Sequence, residues 1–229
     1  MHRLALPVIL VSVVHHNTAA NPVHGKIELP TAPERPPPTV KGFVDRVENP
    51  KKPIQGVPVT PLLLVALEKD GDTAKPESPG QVKWDLVGDS FAKPVIGAPA
   101  GAQVVIRNTS NTARTLVALE DPKLIQTGLI NPKIGERSFN TTEPKIYTIT
   151  DKDAPHLIGR VVVVNTPYVA NVDAAGKFEL DVPEGSYKLR VFFKDHWLAQ
   201  TETVTVAAKG KTEPTIKIAS LANPTEKAK

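Results

Sequence analysis

The sequence predicts an all-β chain, and three observations carry that expectation. Proline is abundant, at 23 of 229 residues, about twice its usual share of ~5%, and long helices tolerate proline poorly. Short alternating or apolar runs recur, with turn signals between them every ~8–12 residues, the spacing of a β-sandwich. The apolar run 62–67 (LLLVAL) is too short for an ordinary helix and is flanked by prolines and Lys-Asp-Gly, so it reads as a buried strand.

The elements follow in chain order. VHGKIEL (23–29) is strand-like, and Pro36-Pro37-Pro38 is an extended spacer. Strand signals resume at VKGFVDRVE (40–48), then the LLLVAL strand and a polar loop at 69–81. From Trp84 the pattern becomes regular. WDLVGDSF leads into PVIGAPAGAQVVIRN, two strands about a Pro-Ala-Gly turn at 99–101, the second being Val104-Val105-Ile106. TARTLVALE (112–120) alternates as a strand. Residues 121–136, broken by Pro122, Gly128, Pro132 and Gly135, read as loop. Ile146 to Thr150 and Val161 to Val164 are strands on either side of a short loop, DKDAPHLIG.

The last third reads as a run of hairpins. Asp173-Ala174-Ala175-Gly176 joins YVANV to KFELDV, Pro183-Glu184-Gly185 precedes the strand Tyr187 to Phe193, and TETVTVAA and PTIKIASL add two more. Phe178 and Tyr187 fall on core positions, and Asp173 is placed to hydrogen-bond its own turn. The expected organisation is a signal peptide at 1–20, an N-terminal β segment with a Pro-rich linker at 21–83, one sandwich domain at 84–165, a further β segment at 166–220 and a disordered tail at 221–229.

The first twenty residues set the expected compartment. Met1-His2-Arg3 is a positive n-region, LALPVILVSVV (4–14) an apolar core shorter than the ~20 residues of a membrane span, and Thr18-Ala19-Ala20 a small-residue cleavage context. Export to the periplasm or cell surface is expected, with Asn21 as the mature terminus and no membrane span. A formal charge of +4, without Lys/Arg clustered among aromatics, gives no reason to expect nucleic acid. The chain has no cysteine. It can supply no disulfide and no thiolate to copper, zinc or an iron–sulfur cluster.

Two likenesses emerge from these residues. Phe91 to Val164, with PVIGAPAGAQVVIRN and the return strand GRVVVV, resembles a cupredoxin domain. TPYVANVDAAGKFELDVPEGSYKLRVFF (166–193) resembles a carboxypeptidase regulatory-like, transthyretin-type repeat, whose pattern D-x-x-G-x-F-x-[LI]-x-V-P-x-G-x-Y-x-L is met from Asp173 to Leu189. The combination resembles exported plastocyanin-like proteins of the methylamine-utilisation type. The implied architecture is a cupredoxin-like Greek-key β-sandwich combined with a transthyretin-like β-sandwich.

The cupredoxin resemblance also implies where copper ligands should stand. The place of its first histidine falls on Arg114. Aligned on Pro155 and Gly159, the cysteine place of its C-x-I-H-P-x-M-x-G loop is Asp151, the histidine place Ala154 and the methionine place Leu157. None is a blue-copper ligand, since even the Asp151 carboxylate is a hard oxygen donor. The expectation is a scaffold with degenerate ligand positions and no cofactor. The alternative is a copper-binding or electron-transfer protein with rewired ligands drawn from His156, His24 and His196.

Catalytic signatures are absent: the sequence holds no G-x-S-x-G, no H-E-x-x-H and no Gly-rich phosphate loop. Asp151-Lys152-Asp153 reads as a solvated loop; as a carboxylate pair it could hold calcium or, given a shared pocket, do acid–base chemistry. Trp197, at a strand end, is a candidate contact for a partner. Asn108-Thr109-Ser110 and Asn140-Thr141-Thr142 match the N-glycosylation pattern, which matters only in a eukaryotic secretory host. The expected function is a non-catalytic, exported binding module for a protein or glycan partner at the cell envelope.

Overall fold

A computed structural model describes residues 20–30, 58–69 and 79–224. The expected signal peptide, the Pro-rich spacer, the strand expected at 40–48, most of the polar loop and the end of the tail lie outside these residues.

The described chain is all-β, its sole helical element a 3-10 turn at Thr60–Leu62. Its strands are β1 (Asn21–Glu28), β2 (Leu63–Lys69), β3 (Gln81–Val87), β4 (Ser90–Phe91) and β5 (Val95–Pro99), then β6 (Gln103–Asn108), β7 (Leu116–Ala118), β8 (Gly135–Asn140), β9 (Ile146–Asp151) and β10 (Ile158–Val164). The C-terminal part adds β11 (Val169–Asn171), β12 (Lys177–Val182), β13 (Gly185–Phe193), β14 (His196–Val206) and β15 (Thr215–Lys217).

These strands make four sheets, in the orders β4-β3-β6-β8, β5-β10-β9-β7, β11-β2-β13-β14 and β12-β1-β15. The first two face each other across one core containing Trp84, Ile106, Phe139, Ile149, Leu157 and Val161. The last two enclose a second core that contains Val23, Leu63, Val65, Leu67, Phe178 and Tyr187.

A third apolar layer, of Leu64, Ala66, Val95, Val162, Val164 and Phe192, lies between the two sandwiches. The four sheets are therefore stacked, and the two middle ones are covered on both faces. Period-2 alternation explains how. In β2, Leu63, Val65 and Leu67 enter the second core while Leu64 and Ala66 enter the middle layer. In β10, Val161 and Val163 enter the first core while Val162 and Val164 enter the middle layer. A strand buried on both sides needs a continuous apolar run, and LLLVAL and VVVV are those runs. Gly97 lets the sandwiches approach, since a Cβ there would stand 2.3 Å from Val169 and 2.9 Å from Leu64. The Asn171 amide also donates across the boundary to the Val95 carbonyl at 2.7 Å.

Several expectations need correcting. The run of hairpins is largely a run of sheet changes. β11 pairs with β2 and β12 with β1, so the Asp173–Gly176 turn carries the chain from one sheet to the facing one. The Pro183–Gly185 turn carries it back, because β13 pairs with β2 and β14. Of these connections only β13–β14 closes a hairpin. Crossing the sandwich at each turn lets both strands bury their apolar faces in one core. The Asp173 turn bonds are as expected, its carboxylate accepting from the Ala175 and Lys177 amides at 2.8 and 2.7 Å. TARTLVALE yields only the short β7, with Arg114 in an isolated bridge to Ile130. β8 lies partly in the segment read as loop, because only Phe139 of its residues is buried. The sequence leaves open whether 21–83 stands apart or lends strands to the sandwiches; among the described residues, β1 lies between β12 and β15, β2 between β11 and β13, and β3 joins the first sandwich.

Candidate functional site

One end of the first sandwich gathers the residues that the sequence singled out. β9 ends there at Asp151, β10 starts there at Ile158, and the β3–β4 turn at Gly88-Asp89 closes over it. Arg114 enters from the segment before β7 and ties these pieces together. Its guanidinium donates to Asp151 Oδ2 at 3.4 Å, to the Gly88 carbonyl at 3.1 Å and to the Asp89 carboxylate. The Arg114 side chain is only 5% exposed and that of Asp151 1%, whereas Asp89 is open to solvent at 74%. Asp151 also accepts from the Asp153 amide at 2.9 Å, and the Lys152 amide donates to the Thr115 carbonyl at 3.0 Å. Arg114 Nε is buried with no hydrogen-bond partner.

Two of the four positions where the resemblance expects copper ligands thus meet as a buried ion pair. The other two are apolar and packed: Ala154 and Leu157 belong to the first core, and the Leu157 amide closes a turn on the Ala154 carbonyl at 2.9 Å. Asp151 and Asp153 do not share a pocket as a carboxylate pair, since Asp151 is buried against Arg114 and Asp153 is exposed.

The three histidines stand on separate elements. His156 is exposed in the β9–β10 loop. His24 lies on the outer face of β1, 3.6 Å from Glu179 of β12. There it lines a charged trough of about 760 Å³ that also includes Lys26, Lys177, Lys211 and Glu213. His196 opens β14, its Nδ1 2.8 Å from Asp195 and its Nε2 buried without a partner. That contact holds the Asp195 carboxyl below its ordinary range. Among the described residues, no group of three or more His, Cys, Asp or Glu is arranged to hold a metal ion.

Trp197 is not a free aromatic platform. It is partly buried against the middle apolar layer, edge-on to Phe192 at 5.3 Å, with the Arg190 guanidinium 4.4 Å above its ring. Asn108 is fully buried, its amide donating to the Thr112 and Ile130 carbonyls at 2.8 and 3.0 Å. That removes it as a glycosylation acceptor.

Sequence reasoning missed four exposed apolar residues on the segments that hold Arg114 and its neighbours. Val87, Leu129, Ile134 and Ile158 are exposed by 53, 65, 84 and 46%. Val87 precedes the Gly88 turn, Leu129 precedes the Ile130 that bridges Arg114, and Ile134 precedes the start of β8 opposite Asn108. Ile158 pairs with Thr150, beside Asp151. The available signal was Leu129 and Ile134, large apolar residues in a segment rich in loop formers. No described helix is long and apolar enough to cross a membrane.

No family model matches this chain, and no curated protein matches it. Among solved structures, amicyanin from Paracoccus versutus aligns at 13% identity and a TM-score of 0.33, over 44% of this chain and 97% of that one. A purple cupredoxin from Nitrosopumilus maritimus aligns at 14% identity and a TM-score of 0.32, over 36% of this chain and 99% of that one. A mutant fern plastocyanin gives 14% identity and a TM-score of 0.33, over 36% of this chain and 100% of that one.

Proposed function

We propose that this chain is an exported, non-catalytic β-sandwich module that binds a protein partner at the cell envelope and carries an internal cation where its cupredoxin resemblance would place copper. The buried Arg114–Asp151 pair carries this reading. A guanidinium satisfies a carboxylate permanently, since arginine stays protonated at any physiological pH. A metal ion arriving within ~4 Å of it meets a repulsion of about 4 kcal/mol per unit charge at an effective dielectric of ~20. Ala154 and Leu157 offer that ion no donor atom.

The exposed Val87, Leu129, Ile134 and Ile158, all on segments near the Arg114 end of the first sandwich, support a protein partner. Single exposed apolar residues are ordinary, but several at one end of a domain are the composition of an interaction surface. A glycan surface would instead present an open aromatic face, and Trp197 is covered by Arg190.

Titration of the purified chain with Cu(II), Cu(I) and Zn(II), followed by calorimetry and visible absorption, tests the reading. The expected result is no binding tighter than roughly 10 μM. Stoichiometric, tighter binding that disappears in His156→Ala would replace it with the copper reading.

A further inference from the structure

We infer that Arg114 is the receptor for a carboxylate of the protein partner, an aspartate or glutamate side chain that takes the place of Asp89. The inference rests on the binding-module reading above and names the chemistry that the partner brings.

Arg114 spans the two facing sheets of the first sandwich. Its Nη1 donates to Asp151 Oδ2 on β9, and its Nη2 donates to the Gly88 carbonyl and the Asp89 carboxylate in the turn between β3 and β4. A planar guanidinium presents Nε and Nη2 along one edge, a fork that matches the two oxygens of a carboxylate. Arg107 of β6 shows that fork closed, its Nε and Nη2 donating to Asp85 Oδ1 and Oδ2 at 3.0 and 2.9 Å. At Arg114 the same edge is half used. Asp89 Oδ1 takes Nη2, while Nε is buried with no hydrogen-bond partner, in a side chain 5% exposed. A buried donor left unpaired costs more than an average hydrogen bond contributes. A carboxylate that closes the edge binds with that deficit in its favour.

Asp89 is the displaceable member of the site. Its side chain is 74% exposed, and Arg114 is its one hydrogen-bond partner among the described residues. Asp151 is 1% exposed and also accepts from the Asp153 amide, so it stays. Space lies open beside the turn: Gly88 has a φ of 60°, and a Cβ there would meet no described atom within 4 Å. Rotation of the short Asp89 side chain uncovers Nη2, and the Gly88 carbonyl keeps its own bond.

Charge selects the ligand. Exchanging Asp89 for another monoanion leaves the charge around Arg114 unchanged. A phosphate dianion would add negative charge beside the buried Asp151 carboxylate. Exposed apolar residues stand on the segments at both ends of the guanidinium. Val87 adjoins the Gly88-Asp89 turn at Nη2, and Ile158 pairs with Thr150, next to Asp151 at Nη1. The occupant is therefore an acidic side chain inside a chain that continues with apolar residues on both sides, rather than a free chain end.

The test follows the Arg114 Nε–Hε cross-peak by NMR in the isotope-labelled full chain, identified by its loss in Arg114→Met/Asp151→Leu. The probes are N-acetyl-Leu-Asp-Leu amide, its Asn counterpart and inorganic phosphate, each up to about 10 mM. The Asp peptide is expected to shift that peak saturably, and the other two to leave it in place. Asp89→Ala removes the internal competitor. An exposed pair favours its bonded state by a factor of roughly one to five, so the apparent Kd of the Asp peptide is expected to tighten about two- to six-fold. Arg114→Met/Asp151→Leu, with its β-sheet circular dichroism retained, is expected to abolish the shifts that the Asp peptide causes at the Val87 and Ile158 amides. The proposal is overturned if the Nε peak stays still with the Asp peptide in both the parent and Asp89→Ala. It is equally overturned if the Asn peptide or phosphate moves the peak as far, or if Asp89→Ala leaves the Kd unchanged. A still Nε peak beside a blank metal titration removes this inference alone, whereas stoichiometric copper binding removes the module reading on which it rests.

Discussion

Replacing Arg114 by alanine isolates the energetics of the candidate site. The substitution removes a side chain 5% exposed and leaves Asp151, 1% exposed, without its opposite charge. Breaking a buried pair in this way costs about 3–5 kcal/mol. The Asp153 amide still serves one Asp151 oxygen, which favours the lower part of that range. For a chain of this size each kcal/mol moves the melting temperature by ~2–4 °C, so a fall of about 6–15 °C is expected. Thermal and urea unfolding followed by circular dichroism measure it. The double variant Arg114→Met/Asp151→Leu removes both charges at similar volume and is expected to recover most of the loss, since apolar replacement of a buried pair is often neutral or stabilising. A single-variant loss under about 1 kcal/mol, of the size of an exposed pair, would refute the reasoning. So would a double variant as unstable as the single one.

Further outcomes follow from other contacts. Gly159→Val puts a Cβ 2.4 Å from Trp84 and 2.5 Å from Phe91, a stacked pair with ring centroids 3.8 Å apart; a loss of about 1–3 kcal/mol or more is expected in urea titration, and wild-type stability would contradict the packing described. Phe192→Ala empties the centre of the middle layer, where that ring is fully buried, with an expected loss of about 3–5 kcal/mol; a loss below about 1 kcal/mol would show that the layer is not close-packed. The Asp195 carboxyl is held below its ordinary value chiefly by the hydrogen bond from His196, against opposing desolvation. A depressed acid stabilises the fold above its unfolded pKa and loses that contribution as pH falls through the folded one. Asp195→Asn should therefore be less stable than the parent at pH 7, with the gap closing in acid below the ordinary aspartate value of 3.8; an equal gap at both ends would exclude the linkage.

Much of the fold was legible because burial leaves a pattern. LLLVAL and VVVV announced strands covered on both sides, and the alternation in KFELDV announced one covered on one side, as β12 is. The strand partners were not legible. The turns at Asp173 and Pro183 have the composition of hairpin turns, and composition does not say whether the next strand returns to its own sheet or crosses to the facing one. β8 escaped notice because an edge strand with one buried residue carries little periodicity. At the candidate site, the resemblance marked Arg114 and Asp151 as positions without ligands. That they bond to each other depends on β7 and β9 being neighbours, with Leu116 opposite Asp151, a long-range pairing that neither local segment encodes.

The double coverage of β2 and β10 bears on how this sequence can drift over generations. In β12 or β6, alternate positions face solvent and can exchange one polar residue for another at little cost. From Leu63 to Leu67 and from Val161 to Val164 every position is buried, so each change is screened by one core or the other. Descendants of this chain should diverge fastest in the outermost strands and keep these two short apolar runs longest.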